Sequence, residues 1–310
     1  MEYQEFLYAV KEGLNKKFNK GTRASIYETT KNNGLQKKGV MIEREGSNIG
    51  PTIYLEEFYD RYKEGETLEH LLKEIMEFYD SVKCTEKWDC RRFEEYESIK
   101  EKIVCRLISF PKNEDSLREI PHVKILDLAV IFYVLLEVAD KGMATITVRN
   151  EHMKVWKVSC EELYEQAVKN SNLLLPAQFY TMHQAIEELM DECDDHLGLH
   201  IEDTVDDEEE VMFILTNSYR NFGAVCLIYP HVLEMIGNML GENFYILPSS
   251  IHEVIIVPES KGIGPDVFDS MINEINETQV APEEILGDHS YLYLRNENEL
   301  CFRQQKIVMC

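Results

Sequence analysis

The chain alternates short apolar runs with amphipathic stretches, and this pattern predicts a mixture of helices and strands. Residues 2–18 place apolar side chains at helical spacing, which predicts a helix with one buried face. Residues 24–29 and 39–43 have strand length, and the Asn-Asn-Gly sequence at 32–34 between them favours a turn. The chain is therefore expected to begin with a helix followed by a β-hairpin.

The next part of the pattern predicts more helices and one long apolar strand. An amphipathic helix is expected to begin near Thr67, and a further helix is expected over residues 91–107. Residues 125–138 are mostly apolar and predict a strand, although a buried helix fits the same pattern. Residues 144–148 and 155–158 predict a hairpin.

The last hundred residues predict a second α+β unit with the order β-β-α-β-β-α-β. Five apolar runs predict its strands, at residues 212–215, 224–228, 244–247, 254–257 and 291–294. One helix is expected to open after Pro230 and to close at Gly241, and another covers residues 265–275. This order implies an antiparallel sheet with the helices gathered on one face.

Together these elements predict an α+β protein in which two α+β units with antiparallel sheets are joined by a helical, acidic connector. Helices are expected at 160–169 and 177–191 in the connector, with an interruption at Pro176. The predicted division is an N-terminal domain over residues 1–158, the connector over 159–210, and a C-terminal domain over 211–310.

Composition indicates in which cellular compartment the protein is expected. The longest apolar run, residues 128–136, falls short of the roughly 20 residues needed to cross a bilayer. The first 15 residues lack the basic and apolar regions of a signal peptide. The eight cysteines are scattered and form no Cys-x-x-Cys pair, which favours reduced thiols. We therefore expect a cytoplasmic protein.

Charge is distributed unevenly along the chain. The net charge is −25, and no Lys or Arg occurs between Lys169 and Arg220, where 13 carboxylates follow from Glu187 to Glu210. A field of this sign repels phosphates and anionic membranes, so direct binding to nucleic acid or to a membrane is not expected.

The segment from Ser249 to Glu253 is the first candidate for chemistry, because Ser, His and a carboxylate can form a nucleophilic triad. On a strand, however, His252 and Glu253 would project to opposite faces, so this Glu would not orient that imidazole. Pro248 fits the second position of a turn from 247 to 250, which explains the serines as turn residues. We therefore expect no catalytic residue here.

A few polar residues are instead expected to contact a ligand or a partner. This set consists of Asn217, Tyr229, Ser249, Ser250, His252 and Glu253. Cys193, His196 and His200 have the spacing of zinc ligands, but a well-placed fourth ligand is missing. A solvated acidic connector is the favoured interpretation of these three residues, and neither a metal nor a cofactor is predicted.

Several segments of the chain resemble one uncharacterised family, a domain-of-unknown-function family of Clostridia and related gut bacteria. The resemblance spans nearly the whole chain. It is carried by Asn-Asn-Gly at 32–34, Pro-Thr-Ile-Tyr-Leu at 51–55 with Phe-Tyr at 58–59, Leu-Thr-Asn at 215–217, Gly-Ala at 223–224 with Leu-Ile-Tyr-Pro at 227–230, and Ile-Leu-Pro-Ser-Ser-Ile-His-Glu-Val at 246–254. The last of these is the most specific, and it is also similar to a second uncharacterised Firmicutes family. The resemblance implies a bacterial cytoplasmic protein of about this length, and it brings no activity, ligand or catalytic residue.

These observations favour a non-enzymatic protein-binding or regulatory module whose partner is an unidentified protein with a basic surface. One alternative is a hydrolase with its site at the turn from Ser249 to Glu253, completed by Asn217, Tyr229 or His289. Another is an acidic mimic of nucleic acid, in which carboxylates imitate the spacing of phosphates.

Overall fold

A computed structural model describes residues 1–45, 50–82, 93–139, 142–185 and 212–302. The chain forms two compact units, Met1–Glu94 and Glu95–Cys310. Every strand pairing among the described residues is antiparallel, and helices accompany the sheets in both units. The predicted α+β class with antiparallel sheets is confirmed.

The first unit packs helices against a three-stranded sheet of order β1-β2-β3. Its elements are α1 (Tyr3–Lys17), β1 (Thr22–Thr30), β2 (Gln36–Arg44), β3 (Thr52–Tyr54), α2 (Glu56–Lys63) and α3 (Leu68–Val82). The predicted first helix, the hairpin and the helix after Thr67 are confirmed.

The sequence of the first unit explains its hairpin and its core. Asn33 and Gly34 turn the chain between β1 and β2 with φ of 59° and 72°, the left-handed region that Asn and Gly adopt most readily. The apolar stripe of α1 is buried together with residues of α3 and the sheet. This core includes Phe6, Leu7, Val10, Leu14, Val40, Ile42, Leu71 and Ile75.

The second unit begins with a sheet of order β4-β6-β5, in which β7 also pairs with β6. The elements of this part are α4 (Tyr96–Ile99), β4 (Ile103–Ser109), α5 (Glu114–Leu117), β5 (His122–Ile125), β6 (Leu128–Ala139), β7 (Gly142–Thr147), α6 (Asn150–Trp156) and α7 (Cys160–Leu174). The strand predicted over residues 125–138 is confirmed as β6.

Two predictions in this region are wrong. Residues 103–109 form strand β4 and not the end of a helix over 91–107; the strand is buried on both faces, so its apolar residues show no two-residue alternation. Residues 155–158 do not form a strand, because α6 covers Asn150–Trp156. This helix begins where Asn150 Nδ2 donates to the Arg118 carbonyl, 2.9 Å away.

The unit continues with a six-stranded sheet of order β13-β12-β10-β11-β9-β8. Its elements are β8 (Ala177–Thr181), β9 (Phe213–Asn217), a 3-10 helix (Gly223–Ile228), α8 (Val232–Leu240), β10 (Phe244–Leu247), β11 (Val254–Pro258), α9 (Pro265–Thr278), β12 (Tyr291–Leu294) and β13 (Glu299–Phe302). The helices predicted after Pro230 and from Pro265, and four of the five predicted strands, are confirmed.

Two further corrections concern this sheet. Residues 224–228 form a 3-10 helix instead of the second strand of the predicted β-β-α-β-β-α-β order. Their backbone is held there by side-chain and main-chain contacts with β9 and residue 251, among them a bond from Cys226 Sγ to the Thr216 carbonyl. Residues 177–181 form strand β8, which pairs with β9, and the chain is helical from residue 182 instead of from 177.

The contact division at Glu94 differs from the predicted boundaries at 158 and 210. Helix α7 and strand β8, which belong to the predicted connector, contact β4 and β9 within the second unit. The three-part division by folding domain stays a prediction. Across the described ranges, every helix falls short of the length and apolar character that a membrane crossing requires.

The packing of α7 on β4 depends on a buried amide. Asn170 Nδ2 donates to the carbonyls of Lys100 and Ile103 at 2.6 and 2.8 Å, and its Oδ1 accepts from Gln166 at 2.8 Å. We expect Asn170→Ala to lower the free energy of unfolding by about 2–4 kcal/mol, because two carbonyls lose their donor in a buried place.

Denaturant titration of the whole chain would measure this loss. The matched control is Lys169→Ala, one residue earlier on the exposed face of the same helix, which should change stability by less than about 0.5 kcal/mol. Equal effects of the two substitutions would contradict the role given to the Asn170 amide.

Candidate functional site

Asn217 ends strand β9, and its side chain organises the turn that follows. Its Oδ1 accepts from the amide of Tyr219 at 3.0 Å, and its Nδ2 donates to the carbonyl of Asn221 at 2.8 Å. The side chain is fully buried. Asn217 therefore satisfies main-chain groups, as Asn residues in turns commonly do.

Tyr229 is buried at the end of the 3-10 helix. Its hydroxyl donates to the Leu175 carbonyl at 3.1 Å, which ties this helix to the residue after α7. Burial raises the pKa of Tyr229 far above its ordinary value, so the phenol stays protonated as the donor.

Ser249 and Ser250 lie in the predicted turn between β10 and β11, and both are buried. The Ser249 carbonyl accepts from the amide of Leu286 at 3.2 Å, and Ser250 forms an isolated β-bridge with Ile285. The Ser250 hydroxyl oxygen accepts from the His252 amide at 3.0 Å. These serines serve the backbone, and the described contacts bring neither hydroxyl to an imidazole.

His252 precedes β11, and protein groups contact both nitrogens of its ring. Nδ1 accepts from the amide of Phe222 at 3.3 Å, and Nε2 lies 3.3 Å from the carboxylate of Glu284. The carboxylate beside this imidazole is therefore Glu284 and not Glu253. Sequence reasoning missed this partner because it comes from a loop 32 residues later in the chain.

Glu253 is partly buried next to this pair. Burial raises the pKa of its carboxyl above the ordinary value, and the nearby Glu284 raises it further. His252 and Arg220 act in the opposite direction. The surroundings of this carboxyl thus disfavour its charged form.

An aromatic and cationic stack lies directly beside His252. The ring of Phe222 stacks on the His252 ring with centroids 5.5 Å apart and planes 19° apart. The guanidinium of Arg106 lies 4.5 Å from the centre of Phe222 and 4.0 Å from the centre of Tyr133. Sequence reasoning found neither Arg106 nor Phe222, because only the fold brings β4, β6 and the turn before the 3-10 helix together.

The geometry can be compared with known proteins. A model of a family of unknown function, DUF5688, matches residues 3–295. The chain belongs to the DUF5688 family. Searches of curated proteins and of solved structures gave no match. The predicted membership of a family of unknown function is confirmed.

In this DUF5688 chain His289 shares no described hydrogen bond or ion pair with His252. His289 lies 3.4 Å from Asp127 and 3.0 Å from Asp288, and its ring also contacts those of Tyr291 and Phe302. Asp127 accepts from the Tyr291 hydroxyl at 2.5 Å. Residues Cys193, His196 and His200, and the acidic segment around them, lie outside the described residues.

One group of side chains in the first unit has the spacing of metal ligands. Glu66, His70 and Glu74 offer ligand atoms within 4.8 Å of one another. Arg61 already binds both carboxylates, with contacts of 2.8 Å to Glu66 and 2.6 Å to Glu74. Both carboxylates are already held by this guanidinium, so the cluster is assigned as an ion-pair network and carries no metal assignment.

Gly223 sets the position of Phe222 and His252 in the DUF5688 chain. A Cβ atom at this residue would lie 2.1 Å from Thr216 Oγ1, 2.5 Å from the His252 carbonyl and 2.6 Å from the Asn217 amide nitrogen. We expect Gly223→Ala to cost about 2–4 kcal/mol of unfolding free energy, because two of these neighbours are backbone atoms that cannot move aside.

Thermal and denaturant unfolding would measure that cost. Gly264→Ala is the control, because a Cβ there meets nothing within 4 Å; as an N-cap substitution it should cost less than about 1 kcal/mol. A Gly223→Ala protein as stable as the Gly264→Ala protein would show that residue 223 does not pass tightly against Thr216, Asn217 and His252.

Glu253 generates a prediction about pH. A carboxyl with a raised pKa in the folded state binds its proton more tightly there than in the unfolded chain. The charged carboxylate therefore lowers the free energy of unfolding at neutral pH. This loss of stability disappears as pH falls below 4.5, the ordinary pKa of a Glu side chain. Glu253→Gln should unfold at a higher denaturant concentration than the natural protein at pH 7, and the difference should close near pH 4.5.

Chemical denaturation at several pH values would test this. The control is Glu165→Gln, an exposed carboxylate in α7, for which we expect little change at any pH. A Glu253→Gln protein that is less stable at pH 7 would show that the carboxylate makes a favourable interaction that outweighs its burial.

Proposed function

We propose that this chain is a non-enzymatic, cytoplasmic module that binds a protein partner with a basic surface through its acidic segment and its C-terminal sheet. The observation that carries the proposal is that the polar side chains around the turn at 248–252 already contact other groups of the protein. The polar side chains of Asn217, Tyr229 and Ser250 bind main-chain groups, and both ring nitrogens of His252 are engaged.

The same observation weighs against a hydrolase at this turn. A general base needs a ring nitrogen within reach of the proton that it removes. In His252 one nitrogen accepts from the Phe222 amide and the other faces Glu284, while the Ser250 hydroxyl meets the His252 amide instead of the ring. We therefore propose that the residues of this turn contribute to ligand or partner binding by shaping the surface and not by catalysing a reaction.

The distribution of charge along the chain supports the proposal of a basic partner. The 13 carboxylates from Glu187 to Glu210 occur in a stretch without Lys or Arg, in a chain whose net charge is −25. Such a field steers a basic surface toward the segment and repels acidic ones. Ions screen this attraction, so association should weaken as salt rises.

Affinity capture at two salt concentrations tests the proposal. The full chain is immobilised and exposed to extract from cells that produce it, at about 50 mM and about 300 mM salt. The test variant neutralises five acids of the segment as D206N, D207N, E208Q, E209Q and E210Q. We expect one or more basic proteins to be captured by the natural chain at low salt and to be lost from the variant.

A control variant with the same change in net charge separates the segment from charge in general. It neutralises five exposed carboxylates elsewhere, as E57Q, E69Q, E101Q, E114Q and E165Q. Capture by this control but not by the test variant supports a role of the segment. Capture of the same proteins by both variants, or of none by the natural chain, contradicts the proposal.

A further inference from the structure

Arg106 occupies an unusual place in the second unit. It lies in the middle of β4, opposite Ile131 of β6, on the face that also carries the apolar side chains of Val104 and Ile108. Its guanidinium carbon lies close to two aromatic rings, 4.0 Å from the centre of Tyr133 and 4.5 Å from the centre of Phe222. These rings are nearly parallel, with planes 8° apart and centroids 6.5 Å apart.

This arginine has no anionic partner among the described residues. Arg61, Arg118 and Arg149 each pair with a carboxylate at 2.6–3.3 Å, as expected in a chain so rich in acids. The Nε of Arg106, in contrast, is buried without a hydrogen-bond partner. The side chain as a whole is partly exposed, so the terminal Nη nitrogens are the part of the guanidinium that meets solvent.

The charge of Arg106 is poorly compensated. Although part of the side chain reaches solvent, protein surrounds the guanidinium so densely that burial lowers its pKa to about 9. Burial is the cause of this shift, and none of the described carboxylates contributes to it. The group is still positively charged at pH 7. Two aromatic faces stabilise such a cation only in part, and an unmade hydrogen bond in a buried place costs about 1–3 kcal/mol.

The ring of Phe222, which lies beside Arg106, is held in place by residues on its other side. Phe222 adopts a left-handed backbone with φ of 55°, a conformation that costs a non-glycine residue free energy. Its amide donates to His252 Nδ1, and its ring stacks on the His252 ring. Glu284 contacts the other nitrogen of His252. The ring that covers Arg106 is therefore fixed from behind by a chain of polar contacts.

We propose that Arg106, Tyr133 and Phe222 form a binding site for a small oxyanion, a carboxylate or phosphate group of a metabolite-sized ligand. Both ring centres lie within 4.5 Å of the guanidinium carbon, and the buried Nε leaves the Nη nitrogens as the donors that we expect a ligand to reach. The two Nη groups present parallel N–H bonds, the arrangement that matches carboxylate and phosphate oxygens in a bidentate manner. In this proposal the ligand supplies the anion that no described residue provides at this point.

This site differs from the proposed partner interaction in the charge of what it binds and in its position in the chain. The acidic segment would bind a basic protein, whereas Arg106 would bind a small anion. Each can exist without the other, so the two experiments fail independently. Neutralising residues 206–210 should leave anion binding in place, and substituting Arg106 should leave partner capture in place.

Titration with sodium phosphate and with sodium acetate tests the inference on the full chain. The readout is the NMR resonance of the Arg106 Nε–Hε group, assigned by its loss in Arg106→Lys, together with calorimetry. Sodium chloride at equal ionic strength is the reference. We expect a saturable shift with phosphate, acetate or both that chloride does not produce; the anion that gives it identifies the ligand group as a phosphate or a carboxylate.

Substitutions locate the binding. Arg106→Met keeps the length of the side chain and removes the charge, and it should weaken binding by about 10- to 100-fold, the value of a charge-assisted hydrogen bond. Arg106→Lys keeps the charge without the planar fork and should weaken it less. Arg149→Met, an exposed arginine of the same unit paired with Glu119, should bind as the natural chain does.

Several outcomes would overturn the inference. These are a natural chain that shows no saturable shift with either anion, a shift that chloride reproduces, and equal affinity in Arg106→Met and the natural chain. Circular dichroism would first establish that each variant is folded. If Arg106→Met does not fold, the resonance of the natural protein and the Arg106→Lys variant still decide the question.

Discussion

The close approach of Gly223 to strand β9 and to residue 252 is the constraint on which the rest of the candidate site depends. With no Cβ at this position, the chain passes within contact of Thr216 and of the His252 carbonyl. Thr216 Oγ1 then donates to that same carbonyl at 2.8 Å. This crossing places Phe222 against His252 on one side and against Arg106 on the other.

The crossing also explains why so many polar residues gather near 217 and 250. Two irregular segments meet there, and neither forms a ladder that would pair its backbone groups. Buried N–H and C=O groups need partners, and the side chains of Asn217 and Ser250 supply them. A cluster that resembles catalytic chemistry in the sequence is thus largely a consequence of satisfying a buried backbone.

The limits of prediction from sequence follow the same division. Helix α1 and the hairpin after it were predictable, because one amphipathic stripe and one Asn-Gly turn specify them locally. The strand β4 and the 3-10 helix at 223–228 were not, because buried runs carry no period that separates helix from strand. The Arg106 stack joins residues 106, 133 and 222, and the His252 pair joins 252 and 284. Local patterns do not reveal contacts between such distant positions.

A strongly acidic chain and a local site for an anion are compatible because their fields act over different distances. Repulsion from exposed carboxylates is screened over about 8 Å at physiological salt. The guanidinium of Arg106 acts at contact, in a place where no carboxylate of the described ranges contributes to its pKa and where protein replaces much of the water. Short-range attraction of this kind is stronger than in water. In the two proposals, the net charge governs which partners approach, whereas Arg106 governs which small group binds.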